Sequence, residues 1–177
     1  MRIQKTLVAL FAIAIGIISC SPSNENTVQR SPENEAVVKK YLDAVITGDT
    51  SAIEGFLADN YMSYGPKIID SADRAKVVAD YKTNWRTNWS SVEYSRYTML
   101  SANIPDGPAP GDWVLDWGRV TVNSKNNSPS FTVDLHIAFR MKDGKVVQEV
   151  SFFNEADIFR QMGFTFVPPA DSTAKSK

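Results

Sequence analysis

The run Glu35–Pro66, EAVVKKYLDAVITGDTSAIEGFLADNYMSYGP, orders the reading of the whole chain. Within it Val37, Val38, Tyr41, Leu42 and Val45 recur at three- and four-residue spacing, which sets them along one buried stripe of a helix. Ser31 and Pro32 supply its N-cap and first helical residue, and Gly48 its left-handed stop. Asp49 caps a second, shorter helix that buries Ile53, Phe56 and Leu57. The chain then becomes extended over Tyr61-Met62-Ser63-Tyr64 and breaks at Gly65-Pro66.

Beyond that break Ser71 reads as the cap of a third helix, with Ala75, Val78, Tyr81 and Trp85 on one face. Thr-Asn-Trp occurs twice at its end, so Trp85 and Trp89 share a face if the helix continues. From Val92 the period becomes two. The expected strands are Val92 to Ala102, Asp112 to Asn123, Ser130 to Met141 and Lys145 to Asn154. The proline-rich stretch Ile104 to Gly111 is a loop, because its prolines have no N–H to give a ladder. Asn126-Asn127 and Asp143-Gly144 mark two further turns. Asp157 to Met162 makes one closing helical turn that stops at Gly163. Helices first and long strands afterwards predict a segregated α+β domain.

This order resembles the nuclear transport factor 2-like superfamily, which includes SnoaL-like polyketide cyclases and ketosteroid isomerases. The shared features are an amphipathic helix, Gly48-Asp49, a short helix ending in Leu57-Ala58-Asp59, an aromatic strand and Gly65-Pro66. FRMKDGKVV followed by SFFNEADIFRQMG is similar to the hairpin and closing segment of SnoaL-like domains. The resemblance spans about Glu33 to Val167. It implies a cone-shaped α+β fold in which three N-terminal helices pack on a strongly bent antiparallel sheet, with a pocket at the wide end.

The 177 residues, with 43% hydrophobic content, suit one such domain with a sizeable core. A formal net charge of -1 gives no reason to expect a nucleic-acid partner. One cysteine and one histidine exclude an internal disulfide and a Cys- or His-rich metal site, so no metal is expected. At the N-terminus, Arg2 and Lys5 precede an apolar run from Leu7 to Ile18, too short for a comfortable membrane span. Its end, Ile17-Ile18-Ser19-Cys20, resembles the lipobox of bacterial lipoproteins. The alternatives are an ordinary secretory signal or an inner-membrane anchor. The resemblance implies an acylated Cys20 and an envelope protein of a Gram-negative bacterium, at the outer membrane in preference to the inner because Ser21 is not aspartate. The expected organisation is a signal peptide over 1–19, lipidated Cys20 and a tether over 20–32, the domain over 33–167 and a polar tail over 168–177. The tether would hold the domain about 20 Å from the bilayer.

Two sets of residues are candidates for chemistry. Tyr41 lies on the helix where ketosteroid isomerases keep the tyrosine of their oxyanion hole, and a buried phenol of this kind can stabilise an enolate. The two carboxylates of that class are missing, since their positions read Gly65 and Ile137. His136 and Asp134 alternate onto one face of a strand and form a candidate acid–base pair. A simple turn at Asp143-Gly144 sets Ser151 opposite His136 and Glu149 opposite Ala138, completing a polar cluster. A one-residue bulge instead sends Glu149 and Ser151 to the face of Ile137, and hydrophobic patterning then leaves His136 outside. Tyr61, Trp85, Trp113, Trp117 and Asn154 are the candidate ligand contacts. Asn154 stands where many members of the family carry aspartate.

No Gly-rich phosphate loop, G-x-S-x-G elbow or H-E-x-x-H motif is present, and no cofactor is expected. The combined expectation is a lipid-anchored domain that binds a small, largely apolar molecule. A homodimer through the outer face of the sheet is an open alternative to a monomer. The competing readings are a cofactor-independent lyase, cyclase or isomerase using His136 and Asp134, and a purely structural interaction module.

Overall fold

The computed structural model describes residues 30–167; the apolar leader, Cys20, most of the tether and the tail lie outside the described residues. Helix α1 spans Pro32–Thr47, with the Ser31 side chain accepting from the Asn34 N–H at 3.3 Å and Gly48 at φ 74° closing it. Asp49 caps α2 (Thr50–Phe56) by accepting from the Ala52 N–H at 3.0 Å, and β1 (Leu57–Tyr64) follows directly.

The next segment departs from expectation. Ser71 does not cap a helix; it opens a short strand, β2 (Ser71–Asp73), paired with β1. Asp73 is the cap of α3 (Arg74–Thr83), which runs on as a π-helical turn over Asn84–Asn88. That turn delivers the chain into β3 (Trp89–Ile104), followed by β4 (Gly111–Ser124), β5 (Phe131–Lys142) and β6 (Lys145–Phe153). A fourth helix, α4 (Glu155–Gln161), closes the domain where one helical turn was expected.

The six strands form one sheet in the order β2-β1-β6-β5-β4-β3. It is mixed, not wholly antiparallel, because β1 runs parallel to β6. The chain leaves β1 through β2 on the sheet edge and returns through α3 to the opposite edge, so no tight hairpin forces β1 and β6 into opposite directions.

The core lies between the helices and the concave face of the sheet. Val38, Tyr41 and Leu42 of α1 and Ile53 of α2 pack on Val114, Ile137, Phe139, Met141 and Val146. The Tyr41 and Phe139 rings meet edge to face, their centroids 5.8 Å apart.

Two bulges decide which residues face this core. Across β5 and β6, Met141 pairs with Val146 but Arg140 pairs with Gln148, which leaves Val147 as an extra residue. Ile137 therefore opposes Ser151, and Phe139 opposes Glu149. The bulged alternative holds and the simple turn does not. A second bulge at Tyr97 between β3 and β4 has the same effect on β3.

At one end of the domain, Arg30, Ser31 and Glu33 lie beside Asn103 and Asp112. The opposite end is built from Trp89, Val122, Phe131 and Ile158 and contains the cavity.

Candidate functional site

A cavity of about 300 Å³ opens between α1, α3, α4 and the concave face of the sheet. Leu42, Val45, Ile46, Val92, Val133 and Ile137 make most of its aliphatic wall, and Trp89, Tyr94, Phe131 and Phe153 add aromatic rings. One carboxyl breaks this apolar lining, that of Glu149. The bulge at Val147 is what turns it inward.

Glu149 is 7% exposed, and its Oε2 accepts from both the Tyr41 and the Tyr61 hydroxyl, each at 3.0 Å. Each phenol is held in place by burial: Tyr41 on the stripe of α1, Tyr61 on β1 beside β6. The second oxygen, Oε1, has no partner among the described residues and is not sealed in, so it is open to the cavity. Burial pushes the Glu149 carboxyl above the ordinary glutamate range, and the two phenolic hydrogen bonds only partly oppose this. The Tyr41 and Tyr61 hydroxyls are raised far above their usual range, first by burial and then by the Glu149 charge. Tyr81, in the cavity wall, is raised for the same two reasons. The phenols therefore remain protonated donors over the whole accessible pH range.

A second polar group lies on the same face of the sheet, on β3 and β4. Asp116 is fully buried, bonded to Arg96 Nε at 2.7 Å and to the Tyr94 hydroxyl. Gly118 makes room for this: a Cβ there would fall 2.4 Å from the Tyr94 ring. The pair ties two strands together and leaves only the Tyr94 ring in the cavity wall.

His136 and Asp134 are on the other side of the sheet. The His136 ring stacks on Trp117, centroids 4.5 Å apart, and faces Phe152 at 6.1 Å. Asp134 is exposed and bonded to Arg119 at 2.7 and 3.0 Å and to the Tyr97 hydroxyl at 2.9 Å. Those bonds, led by Arg119, hold its carboxyl below the usual range. Among the described residues no hydrogen bond joins Asp134 to His136, and neither lines the cavity. The expected cluster with Glu149 and Ser151 is not formed, because the bulge sends those two to the opposite face.

The ligand contacts divide in the same way. Tyr61 reaches the site through Glu149. Trp113 and Trp117 are on the outer face and not in the cavity wall, since it is the alternate residues of β4, Val120 and Val122, that line it. Trp85 donates its indole N–H to the Val45 carbonyl at 2.8 Å and covers Gly48. Trp89, four residues on, takes the cavity position instead. Asn154 is the N-cap of α4, accepting from the Asp157 N–H at 3.1 Å. Cys20 lies outside the described residues. The simple turn groups Glu149 with His136 in a polar cluster, and it is the bulge that turns it to the cavity, away from His136. The only signal for that position of Glu149 was the bulged register of the β5–β6 hairpin.

The fold and this pocket define a class. A family model for the SnoaL-like domain matches residues 38–149, and the chain belongs to that family. Solved structures agree in fold. A putative SnoaL-like polyketide cyclase from Shewanella denitrificans superposes with a TM-score of 0.61 at 9% identity, covering 75% of this chain and 98% of that one. A putative hydroxylase, AclR from Streptomyces galilaeus, gives 0.60 at 17% identity, covering 77% and 89%. An epoxide hydrolase of the LEH-like type from M. tuberculosis gives 0.58 at 14% identity, covering 73% and 89%. No curated protein matches the sequence.

Proposed function

We propose that this domain binds a small, largely apolar molecule in its cavity, with the one polar group of that molecule set against Glu149. The observation that carries the reading is the open Oε1 of Glu149 in a wall that is, Ser151 apart, otherwise aliphatic and aromatic. A cavity of this size and lining takes its binding energy from apolar burial and its orientation from the few polar atoms it presents. An uncharged polarity-sensitive dye tests this directly. Val133 lines the cavity, and Val133→Phe should abolish the dye's blue shift while the protein still melts cooperatively. Dye binding that survives this filling would place the site elsewhere.

A second reading, cofactor-independent lyase, cyclase or isomerase chemistry, is favoured by one observation. Glu149 combines a raised pKa with two phenols on one oxygen, so its other oxygen can hold or take a proton facing the ligand. The polyketide cyclase, hydroxylase and epoxide hydrolase names of the fold neighbours are compatible with such chemistry. On this reading Glu149 is the acid–base residue and Tyr41 and Tyr61 position it; Glu149→Gln would abolish turnover.

The proposed setting is the cell envelope of a Gram-negative bacterium, outer membrane over inner, with the chain held by lipid on Cys20 as the lipobox-like ISC ending implies. The outer face of the sheet, where Phe152 is 55% exposed beside His136 and Trp117, is the proposed surface for a homodimer. Phe152→Glu should then lower the sedimenting mass from dimer to monomer; a mass equal in both proteins would remove the proposal.

A further inference from the structure

The binding reading leaves open what kind of polar group the ligand carries. Resting on that reading, we propose that the cavity takes a hydrophobic amine as its ammonium ion, paired with Glu149.

Charge is the first argument. Among the residues that line the cavity Glu149 alone carries a formal charge, and no lysine, arginine or histidine is among them. The cation on the same sheet face, Arg96, is bonded to Asp116. That pair is two strands from Glu149, roughly 10 Å away by strand spacing. The groups that face Glu149 from the elements packed on it are Tyr41 of α1, Tyr61 of β1 and Tyr81 of α3, all neutral donors. The site therefore holds an acidic group with no cation of its own.

Hydrogen-bond direction is the second. Tyr41 and Tyr61 both spend their protons on Oε2, so neither phenol has a proton left for a ligand carbonyl. With Glu149 ionised, what it offers a ligand is an acceptor, Oε1, and an ammonium N–H is the donor that gains most from a buried carboxylate.

The rings are the third. Tyr81, the ring of the wall that stands by Glu149, adds an aromatic face that attracts a desolvated cation, and the other rings of the wall cover the apolar part of the ligand.

The upward shift of Glu149 fits this arrangement. In the empty cavity burial disfavours its ionised form, and an ammonium restores that form. Where Glu149 is protonated before binding, its proton leaves the carboxyl for solvent as the ammonium enters. The net charge of the site stays at zero, a neutral carboxyl giving way to a carboxylate–ammonium pair.

Two probes of matched shape, cyclohexylmethylamine and cyclohexylmethanol, separate the possibilities by calorimetry on the full chain. The amine should bind about tenfold or more tightly than the alcohol at neutral pH. Glu149→Gln should bring the two affinities together while the alcohol still binds. Equal affinities in the unaltered protein, or an amine preference that survives Glu149→Gln, overturns the ammonium assignment and leaves apolar binding intact. Failure of both probes to bind the unaltered protein overturns both readings together.

Discussion

Glu149 is a carboxyl that folding makes harder to ionise, and that has a consequence for stability. Its folded pKa lies above the ordinary glutamate value of about 4.5. The folded state therefore binds the proton more tightly than the unfolded chain does. Stability contributed by this group is fully present below the unfolded pKa and is lost as pH rises through the window up to the raised value. Asp134 and Glu35 act with the opposite sign at lower pH. Asp134 is held low by Arg119 and Tyr97, whereas for Glu35 burial pushes upward but bonds from Arg30 and Ser101 prevail. Glu149→Gln keeps an acceptor for Tyr41 and Tyr61 and removes the titration. We expect its urea midpoint, relative to that of the unaltered protein, to rise as pH is raised from about 4.5 towards neutrality. A difference that stays flat with pH would show that Glu149 titrates alike in both states. The residue itself was legible only conditionally, because the side it faces depends on one inserted valine, and alternation has no marker for a bulge.

At the scale of elements, the helix stripe and the four long strands could be read because each keeps one period over many residues. Val38, Tyr41 and Leu42 are buried as their spacing requires. What escaped was short or interrupted. The three residues of β2 are too few to show alternation, and Ser71 looks like a cap because serine serves both purposes. The tryptophans of β4 misled for a different reason. Both faces of that strand are apolar, and the polar residue that marks the inner face, Asp116, is buried with Arg96 and not solvated. Pattern alone assigns an isolated aspartate to the outside. Where local signals were strong they carried real structure, and Gly48 is the clearest case. It joins α1 to α2 at φ 74°, and a Cβ on it would sit 2.8 Å from the Trp85 ring. Gly48→Ala therefore meets both a left-handed backbone and a clash. It should cost at least about 1 kcal/mol, more if Trp85 is forced off its bond to Val45. Equal denaturant midpoints for the two proteins would contradict this account of the junction.

For the molecule as a whole, the family was legible from the order of its elements, whereas activity was not. A SnoaL-like frame fixes where a pocket can be, and individual side chains decide what it holds. Localisation rests on the N-terminal sequence. Cys20→Ser should abolish incorporation of labelled fatty acid and move the protein out of the membrane fraction or leave it uncleaved; unchanged labelling would refute lipidation at that residue.

The position of Arg30 bears on how such an anchored molecule would meet its ligand. The chain enters the domain beside Asn103 and Asp112, at the far end from Trp89, Phe131 and the cavity. If the chain is anchored through Cys20, it enters the domain at the end away from the cavity, which leaves the cavity free to face the aqueous compartment. Traffic into it would then come from water. A greasy compound dissolved in the membrane would first have to escape the lipid, while one crossing the periplasm would be intercepted on its way.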